Sequence, residues 1–139
     1  ADAPTSTNFD KSELTTVWGI QVHESIADKL LALLKAASRD GIRLGGGGYR
    51  SSQSQINLRR AHCGTSNWAI YSKPSYQCRP PTARPGASMH ERGLAVDFTQ
   101  NGRALWSNTS GYRWLKRNAS KYGLRNLPSE PWHWSVNGR

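Results

Sequence analysis

Ser88-Met89-His90-Glu91-Arg92-Gly93-Leu94-Ala95-Val96-Asp97, answered downstream by Glu130-Pro131-Trp132-His133-Trp134, decides how this chain is read. Two imidazoles and one carboxylate suffice as the three protein ligands of a catalytic zinc site with a fourth position open. Glu130, three residues before His133, is then free to move protons. His90 and Asp97 would face opposite sides of one continuous strand, so a turn must intervene. Gly93 is the residue able to make it, because it tolerates backbone conformations that other residues resist. Beyond that turn, Leu94, Val96 and Phe98 fall on one face of a strand and Ala95 and Asp97 on the other, which frees Asp97 from the core side. A final strand over Trp132 to Val136 puts Trp132 and Trp134 on one face and His133 on the opposite one. His133 has to reach the pair through the fold.

Working outward, Ile26, Leu30, Leu33, Leu34 and Ala37 recur at helical spacing between His23 and Arg39, with Gly41 just past the end. Lys29, Lys35 and Arg39 read as its wet face. Ile42 to Leu44 reads as a short strand running into Gly45-Gly46-Gly47-Gly48 and then Tyr49-Arg50-Ser51. No Gly-Lys-Ser/Thr follows the glycines and dinucleotide-loop spacing is absent, so they are read as letting the backbone bend or pass close to a partner. A second helix is predicted from Ser51 to about His62, a long ordered loop over residues 63–87, and a third helix from Ser110 to Tyr122, ending at Gly123. This order predicts an α+β fold, with helices packed around an antiparallel sheet.

Ser88-x-His90-x-x-Gly93-x-Ala95-x-Asp97 with Glu130-x-x-His133 resembles the signature of the VanY-type D-alanyl-D-alanine carboxypeptidases, within the wider lysostaphin, D,D-peptidase and Hedgehog metalloprotein group. The resemblance reaches upstream to Tyr49-Arg50-Ser51 and Gln55. It implies a Hedgehog/D,D-peptidase-like fold, one Zn²⁺ held by His90, Asp97 and His133, Glu130 as catalytic base, and Arg50 as a catalytic residue facing the substrate, near its carboxylate or its scissile carbonyl. It also implies a division into an N-terminal linker or extension over residues 1–18 and a zinc D,D-peptidase-like catalytic domain over residues 19–139. Ser88 and Gln55 are candidate hydrogen-bonding partners of a peptide substrate. The implied reaction is zinc-dependent hydrolysis of peptidoglycan stem peptides, with release of the terminal D-Ala as the leading reading. Cleavage between L-Ala and D-Glu and a non-catalytic zinc-containing binding module are the alternatives; Glu130 argues against the module.

A chain of 139 residues fits one domain. Nineteen Lys and Arg against nine Asp and Glu give a net charge of +10, which favours polyanionic partners such as an acidic wall polymer. Nucleic acid is not expected, since no reading motif is present and the basic residues are spread along the chain. Cys63 and Cys78 flank a Gly-, Ser- and Pro-rich stretch, and a disulfide there would contribute about 3 kcal/mol and imply an oxidising compartment. No apolar run is long enough to span a membrane. The polar start, Ala1 to Thr7, has no signal-peptide pattern and reads as a mature end or an excised boundary, so a secreted, wall-associated location is inferred from the cysteines and the chemistry. A monomer is expected. His23 and His62 read as ordinary histidines, and the Asn108 and Asn118 acceptor patterns matter only in a glycosylating host.

Overall fold

The expected strand carrying Asp97 sits at the centre of a five-stranded antiparallel sheet in a computed structural model that describes residues 9–139. The expected linker falls partly on residues 1–8, which lie outside the described residues. In chain order the elements are β1 (Leu14–Val17), β2 (Ile20–His23), α1 (Glu24–Arg39), β3 (Leu44–Gly47), α2 (Ser52–His62), α3 (Asn67–Tyr71), β4 (Ala95–Gln100), β5 (Arg103–Ala104), α4 (Ser110–Asn118), β6 (Arg125–Leu127) and β7 (Glu130–Ser135). The main sheet runs β3-β4-β7-β6, with β5 paired to β4, and β1 and β2 form a separate hairpin. This is the α+β architecture the sequence predicts.

The sheet is held from one side. Val96, Phe98 and Trp134 point into a core completed by Leu30, Leu33 and Leu34 of α1 and by Trp114 and Leu115 of α4. Full burial of side chains this size contributes roughly 1.5–3 kcal/mol each, so that face is firmly packed. The alternation along β4 then turns Asp97 to the other face. Helix α1 buries the five predicted apolar residues, and its N-cap is His23, whose Nδ1 accepts from the Ser25 amide at 3.0 Å.

Three differences from the sequence expectations have physical causes. The predicted strand at 42–44 instead starts at Leu44 and runs through the glycines, pairing Gly47 with Asp97. Glycines show no alternation to read. They permit close packing here: a methyl on Gly48 would overlap the Gln21 carbonyl of β2. The third predicted helix relaxes to a 3-10 turn over Ala119–Tyr122 before Gly123. The loop over 63–87 contains α3 and a turn at Ser75–Gln77, and is closed by the expected Cys63–Cys78 disulfide. Its interior is organised by Arg59, which is fully buried and donates to the carbonyls of Ala69, Ile70, Lys73 and Thr82 at 2.6–2.8 Å.

Candidate active site

His90 is presented by a 3-10 turn, Met89–Arg92, rather than by a strand. Ser88 caps that turn, its Oγ accepting from the His90 amide at 3.2 Å. The Glu91 carboxylate completes the cap, accepting from the amides of Ser88 and Gly86 and from the Ser52 hydroxyl at 2.8–3.1 Å. Gly93 ends the turn at φ 71°, and a Cβ there would crowd the His23 main-chain nitrogen, so the joint admits glycine for two reasons. The chain then enters β4, where Asp97 lies between Gly47 of β3 and His133 of β7 in the register. The turn therefore brings His90 back over the strand that carries Asp97.

The three side chains converge. His90 Nε2 lies 3.0 Å from Asp97 Oδ1 and 3.2 Å from His133 Nδ1, and His133 Nδ1 lies 3.2 Å from Asp97 Oδ1. The outer nitrogens are already committed: His90 Nδ1 faces the Gly48 carbonyl at 2.7 Å, and His133 Nε2 faces the Arg139 main-chain oxygen at 2.6 Å. A main-chain oxygen only accepts, so each outer nitrogen carries a proton, and the inner nitrogen of a neutral ring presents a lone pair. With both rings neutral, two imidazole lone pairs and a carboxylate oxygen meet, an arrangement a cation stabilises; without a cation, a proton on an inner nitrogen bonds the carboxylate instead. The spacing suits zinc as well: tetrahedral ligands at about 2.0–2.1 Å stand roughly 3.3 Å apart. The donor set fits the ion implied by the motif.

Electrostatics follow from this packing. Burial opposes ionisation of Asp97, but hydrogen bonds and charge from His133 and His90 outweigh it and hold the carboxyl far below the usual carboxylate range. Burial likewise opposes charging of His133, yet the Asp97 and Arg139 oxygens and the Glu130 charge raise its pKa. Glu130 is half-buried, with Oε1 3.9 Å from His133 Nδ1. Burial raises its pKa and Asp97 adds to the rise, while His133, His90 and Arg50 act the other way.

Arg50 lines a cavity of about 360 Å³ together with Gly47, Gly48, Tyr49, Ser51, Ser54 and Asp97. Its Nη2 is 3.4 Å from Asp97 Oδ2, and its Nη1 donates to Gln55 Oε1 at 3.0 Å. Gln55 is buried, and its Nε2 donates to the Ala83 carbonyl at 2.8 Å. Ser88 is buried in its capping role. Thus His90, Asp97, His133, Glu130 and Arg50 come together, while Gln55 and Ser88 reach them through Arg50 and His90. Arg84 is exposed and donates to the Ser72 carbonyl. Glu91 was legible as the last residue of a Ser-x-x-Glu capping box. The main-chain oxygens of Gly48 and Arg139 had no side-chain signal.

An antiparallel sheet that aims two imidazoles and a carboxylate at one point, with a second carboxylate and a guanidinium beside them, is built like a hydrolytic metal centre. The chain belongs to the VanY D-alanyl-D-alanine carboxypeptidase family, whose sequence profile matches residues 19–139. It is 29% identical over 134 residues to a D-alanyl-D-alanine carboxypeptidase of Enterococcus faecalis, covering 86% of this chain and 50% of that protein. The chain spans about half the length of the curated relatives it matches. Among solved structures it resembles a vancomycin-resistance D,D-pentapeptidase VanY from a VanB-type cassette, in complex with Zn(II) (TM-score 0.71, 27% identity, 97% of this chain and 84% of that one). It also resembles VanYB in complex with D-alanine-D-alanine (TM-score 0.68, 25% identity, 94% and 81% coverage).

Proposed function

We propose that residues 19–139 form a zinc-dependent D,D-carboxypeptidase domain that removes the terminal D-Ala from peptidoglycan stem peptides, and that the +10 chain acts outside the cell on an acidic wall. The observation that carries this reading is the convergence of His90 Nε2, His133 Nδ1 and Asp97 Oδ1 within 3.0–3.2 Å of one another beside the Arg50 guanidinium. A zinc ion held by His90, Asp97 and His133 would polarise the scissile carbonyl and acidify the attacking water. Glu130 takes the proton of that water and returns it to the leaving amine. Arg50 binds the free carboxylate of the terminal residue, which suits a planar cation better than a point charge.

Gln55 holds Arg50 in place. Gln55→Met, close in volume and unable to accept from Arg50, is expected to raise KM about tenfold, the lower end of what a lost hydrogen bond to a charged group is worth. Zinc affinity should not change. Steady-state kinetics beside a zinc titration check this, and an unaltered KM would remove Gln55 from the substrate site.

The bond cut is tested by mass spectrometry of defined tetrapeptide and pentapeptide stems, with and without a chelator. The expected product is the pentapeptide less one terminal alanine, lost on chelation and restored by zinc. A cut between L-Ala and D-Glu would replace the carboxypeptidase reading with the endopeptidase one. No product from the zinc-loaded protein would leave a binding module.

A further inference from the structure

We propose that residues 135–139 form a hook that belongs to the metal site: Ser135 and Asn137 grip the Arg139 main chain so that its main-chain oxygen fixes the ring of His133. The inference rests on the zinc reading above. Ser135 follows His133 by two positions on β7, which puts both side chains on one face of the sheet. Ser135 is fully buried. Its Oγ accepts from the Arg139 amide at 3.0 Å and donates to Asn137 Oδ1 at 3.2 Å, while Asn137 Oδ1 accepts from the same amide at 3.0 Å. Gly138, at φ 77°, lets the chain reverse between them. The reversal sets the Arg139 main-chain oxygen 2.6 Å from His133 Nε2.

The hook also reaches the other histidine. Asn137 Nδ2 lies 3.8 Å from Met89 Sδ, in the turn that presents His90. A rotation of the His133 ring by half a turn would exchange the atoms facing the site, and movement of the proton to Nδ1 would remove the lone pair there. The Arg139 oxygen at 2.6 Å opposes both changes against the pull of Asp97 Oδ1, 3.2 Å from Nδ1, because only a ring with Nε2–H outward satisfies it. Outer partners of this kind typically carry a 10–100-fold effect on metal affinity. Because the contact is made by main chain, the Arg139 side chain is dispensable.

The test uses Ser135→Ala/Asn137→Ala, with Arg139→Ala as control. By chelator competition the double variant is expected to bind zinc about 10–100-fold more weakly, with Arg139→Ala unchanged. The metal-free melting temperature should match the parent's in Arg139→Ala and fall by only a few degrees in the double variant, in keeping with its lost hydrogen bonds. Nitrogen-15 NMR of the metal-free protein, at a pH where the imidazoles are neutral, should show a single Nε2–H tautomer for His133 in the parent and a mixture in the double variant. Unchanged zinc affinity and tautomer in the double variant would overturn the proposal. So would a fall in metal-free melting temperature that accounts for the lost affinity. If the parent binds no zinc, it is the zinc reading that fails, and the tautomer signal alone then decides whether the hook orients His133.

Discussion

Glu130→Gln is expected to keep its zinc and to lower kcat for terminal D-Ala release by about 10²–10⁴-fold, the range over which a positioned acid–base group accelerates proton transfer. Glutamine matches glutamate in shape and leaves the half-buried position filled. What it cannot do is accept the proton from water, and the polarising effect of a bound ion would account for the residual rate. KM should move little, because the lost interaction belongs to the transition state. The pH profile supplies an independent sign. Only the ionised carboxylate is a base, so the parent rate falls as pH falls through the Glu130 ionisation, and the variant lacks that acid limb. Burial moves the limb up and a bound cation moves it down, so its presence, rather than its position, is diagnostic. Measurements at saturating zinc keep ligand protonation out of the comparison. Parent-like turnover in Glu130→Gln would dismiss Glu130 as the base.

The core of this site was legible because its chemistry is concentrated in short segments. His90, Gly93 and Asp97 lie within eight residues, and the need for a turn between a histidine and an aspartate seven apart follows from strand geometry alone. The φ of 71° at Gly93 is the joint so inferred. Trp134, buried against the core, and His133, turned the other way, follow from the same period of two. Other features were hidden for the same kind of reason. The β1–β2 hairpin has strands of four residues each, and β1 buries only Val17, too few positions for an apolar alternation to emerge. Strand β3 has glycine at three of its four positions, so it can be seen only through its pairing with β4. Arg59 sits in a helix pattern as an ordinary exposed cation, and nothing local signals that four carbonyls of the disulfide-closed segment converge on it. The ring orientation of both histidines depends on main-chain oxygens, which every residue possesses and no sequence pattern distinguishes.

Removing one of the three proposed metal ligands should have the larger effect on the ion, and Asp97→Asn is the most informative way to do it. Structural zinc in small proteins is bound with about 10–16 kcal/mol over four ligands, roughly 2.5–4 kcal/mol for each. Loss of one is therefore expected to weaken zinc binding by roughly 10²–10³-fold, a factor of ten for each 1.4 kcal/mol. The same substitution should shift the pH dependence of binding, in a direction fixed by the charges. Zinc must displace a proton from any charged imidazole, and hydrogen bonding and charge from Asp97 help raise the His133 pKa above 6.5. In the parent, affinity therefore declines on acidification from a pH above the ordinary histidine value. Asparagine removes the carboxylate, the imidazolium loses its partner, and the decline moves to lower pH even as the alkaline plateau drops. Chelator-competition titrations across pH, paired with metal-free melting temperatures, separate the two effects. A plateau equal to the parent's would mean that Asp97 is not a ligand, whereas a lower plateau with an unmoved acid limb would mean that it binds the ion without tuning His133. His90→Ala lacks this double signature and should lose both zinc and turnover, which makes Asp97→Asn the sharper test of how the three groups act together.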